Sequence, residues 1–348
     1  MNNHKKRRVT VRDIADKLGL SHPTVSRALN DHPRISEETK IKVREMAKKL
    51  NYRPNIMARG LTSHRTSLIG LVIRDIRSSF HADIIAGVQD VLDKHGYSIL
   101  LCSSSMDVQN EKRHLQTVSD KQVEGIIVVP VLGDNSNSKL IERIHDDGTP
   151  VVLVSLGKQL NKIPCVKVDN ILGGYMATKH FLEMGHKDVK YYTYEHPAMN
   201  NLIPGVDENI DRYTGYVKAM HEAGLTEKIG LVIDPDFGMN PHFINDFMKK
   251  KNIPRALFSF SDEMAMCFMR TIIASGKRIP EDMSIIGFDD IPCVSMMYPG
   301  LTTIAQPKYE LGSLAAEQLL SMISGKEVEM EVVLNPEIVC RNSVNKLT

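Results

Sequence analysis

The chain has 348 residues, 42% hydrophobic and 25% charged, with 44 Lys and Arg against 42 Asp and Glu. That length and composition can bury a full core and divide into two or three domains, and they exclude a low-complexity or disordered chain. No run of 18 apolar residues occurs, and the basic start MNNHKKRR leads into no apolar stretch, so neither a spanning helix nor a secretory leader is expected.

The charge is unevenly placed. Residues 1 to 65 hold 16 Lys and Arg against 6 Asp and Glu, which leaves 28 against 36 for the remaining 283 residues. A basic head on an acidic body suits phosphate binding, because each neutralised phosphate releases counterions. The five cysteines, Cys102, Cys165, Cys267, Cys293 and Cys340, are odd in number and scattered among apolar neighbours. They are expected to be reduced core thiols of a cytoplasmic protein rather than disulfides or metal ligands.

The stretch Val9 to Asn30, VTVRDIADKLGLSHPTVSRALN, predicts two short helices joined by a tight turn. Thr10 and Asp13 have capping-box spacing, and Val11, Ile14, Ala15 and Leu18 fall on one helical face. Gly19 breaks that helix, Ser21 caps the next, Pro23 sits in a first turn where it is tolerated, and Val25, Ala28 and Leu29 form the buried side. His22, Pro23, Thr24, Ser26, Arg27 and Asn30 remain for an outer face, with groups able to reach base edges and phosphates from a major groove. The same pattern also suits a helical hairpin that merely packs on a neighbour, but coincidence with the basic head favours a DNA-binding helix-turn-helix. Ser36 then caps a third helix through Val43, Met46, Ala47 and Leu50. In Asn51 to Ser63, Pro54 biases Arg53 away from helix and Asn55 can cap a turn or two over Ile56 to Leu61, which is too short to persist alone in water.

From Ser67 onward, short apolar runs alternate with helical patterns: SLIGLVI, SILLCS, GIIVVP and PVVLVS, then CVKVD, DVKYYTY, KIGLVI, ALFSFS and MSIIGFDD. The two series predict two lobes with doubly wound parallel sheets, which bind ligands beyond the carboxyl ends of their strands. There stand Asp75, Phe80, Ser103 to Ser105, Ser155, Asp169, Phe237, Ser261, Asp262 and Asp289. Carboxylates, hydroxyls and an aromatic plate suit a polyhydroxylated ligand. No G-x-x-x-x-G-K-S/T, G-x-G-x-x-G, H-E-x-x-H or G-x-S-x-G occurs, so no enzyme, cofactor or metal is expected.

The helix-turn-helix stretch, followed by SEETKIKVREMAKKLNYRPN, resembles the lactose-repressor/galactose-repressor (LacI/GalR) family of bacterial transcription regulators. ENIDRYTGYVKAM, IDPDFG, FSFSDEMA, SIIGFDD, PGLTTIAQPKYELGSLAAEQLL and PEIVCRNS extend the resemblance over nearly the whole chain. It implies an effector clamp at Arg212, a stacking ring at Phe237, and pocket groups at Ser261, Asp262 and Asp289. It also implies that residues 55–65 form a hinge helix ordering on operator DNA, with Leu61 as the wedge in a base step and Ala58 and Arg59 beside it. The DNA-facing set expected from pattern and resemblance together is completed by Thr10, Ser21, Tyr52 and Asn55. Departures from the family are Ser78-Ser79-Phe80 in place of its common Asn-Pro-Phe, Gly60 at a usually small non-glycine position, and a long AMNNLIPGVDEN before Arg212.

The expected architecture is an all-α helix-turn-helix headpiece (1–54), a hinge (55–65) and an α/β sensor (66–348) like the two-lobed periplasmic binding proteins. Lobe 1 is expected to take 66–158 and 293–325, and lobe 2 to take 162–290 and 328–342. The expected function is a cytoplasmic, effector-responsive repressor, dimeric or further paired into a tetramer, on double-stranded pseudo-palindromic operator DNA. The expected effector is a sugar, sugar phosphate or related small polar metabolite. The alternative is a sugar-sensing binding protein without direct repression.

Overall fold

The computed structural model describes residues 9–52, 66–131, 137–155, 160, 162–195, 207–236, 241–250 and 253–347. The chain divides into two compact units, Met1–Thr66 and Ser67–Thr348. The expected hinge residues Asn55, Ala58, Arg59, Gly60 and Leu61, and the expected stacking ring Phe237, lie outside the described residues.

In the first unit, α1 (Val11–Leu18), α2 (His22–Leu29) and α3 (Glu37–Lys49) enclose a core of Ile14, Ala15, Val25, Ala28, Val43 and Ala47. Each helix starts on a side chain that satisfies an otherwise free amide. The Thr10 hydroxyl accepts from Asp13 N–H while the Asp13 carboxylate accepts from Thr10 N–H at 2.7 Å. Ser21 and Ser36 each accept from an amide three residues on. Gly19, at φ 63°, ends α1 in the left-handed region that permits the tight turn into α2. Tyr52 closes α3 by donating its amide to the Ala47 carbonyl and packs on the core.

Among the described residues, the second unit contains two six-stranded sheets. The strands are β1 (Leu68–Ile73), β2 (Ser98–Ser103), β3 (Gly125–Val128), β4 (Val151–Val154), β5 (Cys165–Val168), β6 (Val189–Tyr194), β7 (Leu231–Asp234), β8 (Ala256–Ser259), β9 (Ser284–Asp289), β10 (Thr302–Ala305), β11 (Glu331–Leu334) and β12 (Glu337–Val339). The first sheet runs β11-β5-β4-β3-β1-β2 and is parallel throughout; the second runs β12-β10-β9-β8-β6-β7 and is parallel except for its edge strand β12. Helices cover both sheets, so the central strands are buried on both faces, as their unbroken apolar runs require. They are α4 (Ser79–Lys94), α5 (Val108–Asp120), α6 (Ser138–Asp146), α7 (Asn170–Glu183), α8 (Glu208–Glu222), α9 (Pro241–Met248), α10 (Asp262–Ala274) and α11 (Lys308–Ile323). Among the described residues, no helix is long and apolar enough to cross a membrane.

The lobe boundaries differ from the expected ones. CVKVD, assigned to the second series, forms β5 and pairs with β4 in the first sheet. Residues 293–305 belong to the second lobe, where β10 pairs with β9, and residues 331–334 return to the first sheet as β11 on β5. Chain order cannot reveal these exchanges, because a short apolar strand is compatible with either sheet and only hydrogen-bond register selects one. The cysteines also differ from expectation: Cys102 and Cys165 are buried, but Cys267 and Cys293 are partly exposed, and Cys340 is exposed just past the edge strand β12.

Each lobe has one close helix crossing made by paired glycines. In the first, α4 meets α11, and a Cβ on Gly87 or Gly312 would collide with the Tyr309 or Ile84 carbonyl. In the second, α7 meets α8, and a Cβ on Gly174 or Gly215 would collide with the Arg212 or Ile171 carbonyl. The obstacle is backbone, so the helices must separate to admit a methyl group. Gly215→Ala is therefore expected to lower stability by about 1 to 3 kcal/mol, measured by urea unfolding. A variant of unchanged stability would show that α7 and α8 are not held at this spacing.

Candidate functional site

A cavity of about 400 Å³ is lined from both sheets: Arg74, Asp75, Ser78, Phe80 and His81 follow β1, while Glu208, Arg212, Phe260, Ser261, Glu263 and Asp289 come from the second lobe. Its wall is crossed by an ion pair. Arg74 donates through Nη1 and Nη2 to the two carboxylate oxygens of Glu208, both at 3.0 Å, and through Nε to the Pro130 carbonyl. Both side chains are buried. Burial disfavours both charges, but each partner outweighs it: Glu208 is held below its usual carboxylate range and Arg74 above its usual value. The Ser155 hydroxyl also favours the Glu208 anion. A second bridge between lobes runs from Ser78 Oγ to Glu263 Oε1 at 3.1 Å, and Phe80 packs against the cores of both lobes.

Arg212 extends from α8 with Nε on Asn170 Oδ1 (2.9 Å) and Nη1 on the Phe260 carbonyl (2.5 Å). Its guanidinium lies 3.7 Å from the ring centre of Phe288 and 4.6 Å from that of Phe260, so aromatic faces carry part of its charge. Nη2 stands 3.8 Å from Asp289 Oδ1. Gln306 donates to the same Asp289 oxygen at 2.6 Å, and Lys308 donates to the Asp289 carbonyl. Burial pushes the Asp289 carboxyl up to about 7 against the pull of Arg212. Burial, assisted by Arg74, brings the His81 imidazole down to about 4.

The expected pocket residues fall into two groups. Asp75, Phe80, Arg212, Ser261 and Asp289 line the cavity. Asp169, Asp262 and Ser155 do not line it. Asp169 caps α7 by accepting from Leu172 N–H at 2.8 Å. Asp262 is fully buried, with its oxygens accepting from the Thr303 hydroxyl (2.6 Å) and Ile291 N–H (2.9 Å), so it supports the Asp289 loop instead of facing a ligand. Ser155 serves Glu208. Ser103 accepts from Ile76 N–H and Ser104 donates to the Ile73 and Arg74 carbonyls, so both shape the turn after β1.

Arg74, His81, Glu208, Phe260 and Glu263 were not in the expected set. Arg74 ends the first apolar run, directly before Asp75, so the strand-end rule could have included it. Glu208 opens α8 behind the cap Asp207, away from any strand end, so the strand-end rule could not find it.

In the first unit, α2 buries Val25 and Ala28 and leaves His22, Pro23, Arg27 and Asn30 exposed, with Thr24 and Ser26 partly so. Ser21 and Thr24 share a 2.8 Å hydroxyl contact at the helix start.

The Asp289 proton has a consequence for stability. Between the ordinary carboxylate range and pH 7 the folded chain holds a proton that the unfolded chain releases, so this group's contribution to stability declines as pH rises through that window. Asp289→Asn should therefore gain in thermal midpoint relative to the parent between pH 5 and pH 8. A difference that stays constant would show a carboxylate already ionised at pH 5.

Residues 10–55 match the family described as bacterial regulatory proteins, lacI family, and residues 178–344 match a periplasmic binding protein-like domain. The HTH-type transcriptional regulator RegA of Clostridium saccharobutylicum is 34% identical over 96% of this chain and 98% of its own. The HTH-type transcriptional repressor PurR of Photobacterium profundum is 33% identical over 97% and 99%. Among solved structures, the lac repressor dimer bound to operator and the anti-inducer ONPF has the same fold, with a TM-score of 0.84 at 24% identity over 97% of this chain and 100% of that one. These relatives align across headpiece and sensor together, which sets aside a solute receptor without a DNA-binding unit. A capped helix-turn-helix, two doubly wound lobes and relatives at this identity have one common account: the chain belongs to the LacI family of bacterial transcriptional regulators.

Proposed function

We propose that this regulator is a cytoplasmic repressor that binds a pseudo-palindromic operator as a homodimer and is switched by a small polar metabolite, a sugar in the first instance. The observation that carries the reading is the convergence of Arg212 and Asp289 with groups of the opposite lobe on one cavity. Arg212 presents donors, Asp289 presents acceptors and Phe260 lines the same cavity, which suits the hydroxyls and apolar face of a polyol. A ligand touching both lobes changes their relative free energy, and only such differential binding can operate a switch.

For DNA, the reading assigns base contacts to the outer residues of α2, above all Arg27, and assigns Asn55, Ala58, Arg59 and Leu61 to contacts in the minor groove. Helix starts at Thr10 and Ser21, with Tyr52, are assigned to the phosphate backbone. The dimer is supported by apolar side chains that the second unit leaves exposed, including Met296 at 83% and Tyr298 at 97%.

Two experiments test the reading. Arg27→Ala should weaken binding to the cognate operator by about 1 to 3 kcal/mol and binding to random DNA far less, read from fluorescence titrations at fixed salt. Equal losses on both would reduce Arg27 to a phosphate contact. Arg212→Ala should retain operator affinity without effector and lose the response to it, read from operator titrations across a panel of sugars. A normal response would remove Arg212 from the effector site.

A further inference from the structure

Among the described residues that line the cavity, two guanidinium groups, Arg74 and Arg212, meet four carboxyl groups: Glu208 and Glu263, Asp75, which is paired with Arg77, and Asp289, which burial pushes up to about 7. The cations are also already engaged. Arg74 has its fork on Glu208 and its Nε on the Pro130 carbonyl, and Arg212 has Nε and Nη1 bonded and its face on Phe288. His81 contributes no charge at neutral pH, since its imidazole is brought down to about 4. Yet His81 is 4% exposed, lines the cavity, and has no hydrogen bond at either ring nitrogen.

Building on the effector-site reading, we propose that the Arg74–Glu208 pair makes this cleft selective for an uncharged, hydroxyl-rich ligand and excludes ligands bearing phosphate or carboxylate. An anionic group needs several charge-assisted donors to replace its water. Among the described guanidinium groups of the cavity, the Nη2 edge of Arg212 remains, and Asp289 stands beside it. An anion that took Arg74 for itself would strand Glu208 as a buried carboxylate without a partner. Hydroxyl donors, in contrast, find acceptors at Glu263, Asp289 and His81, and the second His81 nitrogen can donate to a ligand oxygen. Glu208 is thus the specificity-determining residue: it occupies the Arg74 fork that an anion would otherwise take.

The test uses the full chain and two probes, inorganic phosphate and glucose 6-phosphate, titrated by calorimetry at constant ionic strength. The parent, Glu208→Gln and the double variant Arg74→Gln/Glu208→Gln share the same basic headpiece, so its anion binding is common to all three. Glu208→Gln is expected to bind both probes at least tenfold more tightly than the parent, and the double variant to return to the parent's level. A Glu208→Gln protein that folds only in phosphate buffer is the same result read as stability. Parent binding as tight as that of Glu208→Gln, no gain in Glu208→Gln, or a variant that folds in neither buffer would overturn the proposal. Because the readout is phosphate binding, it is independent of whether a sugar is the natural effector, which the Arg212→Ala experiment decides.

Discussion

The second unit depends on one interaction, the buried bidentate pair of Arg74 and Glu208. Each charge is expensive to remove from water, and each is tolerable only while the other is in place. One comes from the end of β1 in the first sheet and the other from the first turn of α8 in the second lobe. Lobe opening would therefore leave two buried charges to be rehydrated together. A pair of this kind adds little net stability over an apolar contact of equal size, while its two-bonded fork fits one arrangement of the lobes. The Ser78 to Glu263 bond and the dual packing of Phe80 join the lobes in the same arrangement.

Arg212 illustrates how the backbone delivers a charge to the same cavity. The glycines at the α7–α8 crossing bring the two helices to backbone contact, and Asn170 at the start of α7 can then reach the Arg212 Nε. Phe288 and Phe260 supply faces for the guanidinium in place of water. Asp289 and Asp262 divide the remaining work by environment. Burial raises both carboxyls and the Asp289 charge raises Asp262 further, but Asp262 has its oxygens occupied within the fold while Asp289 faces the cavity.

The headpiece uses a different physics. Its core is six buried side chains, small or branched, with partly buried apolar neighbours such as Leu18, Leu29 and Tyr52, and side-chain caps at Thr10, Ser21 and Ser36 add local specification. The polar face of α2 is left free of core packing, consistent with recognition by contact chemistry. The basic excess of residues 1 to 65 over the acidic remainder concentrates phosphate attraction there.

Features with a local cause were legible in the sequence. The caps, the Gly19 turn, the buried side of α2 and the apolar strands each follow from residues within one or two turns of one another. The strand-end rule pointed to Asp75, Ser261 and Asp289, which line the cavity, because a parallel sheet exposes loops at its carboxyl edge whatever its strand order. What only tertiary structure decided is pairwise and distant. The sheet to which β5, β10 and β11 belong depends on register with partners elsewhere in the chain, and Asp262 turns inward because Thr303 and Ile291 meet it there. Arg74 and Glu208 stand 134 residues apart, and neither residue alone signals the other. A buried charge acquires its meaning from the partner that neutralises it, and that partner is chosen by the fold.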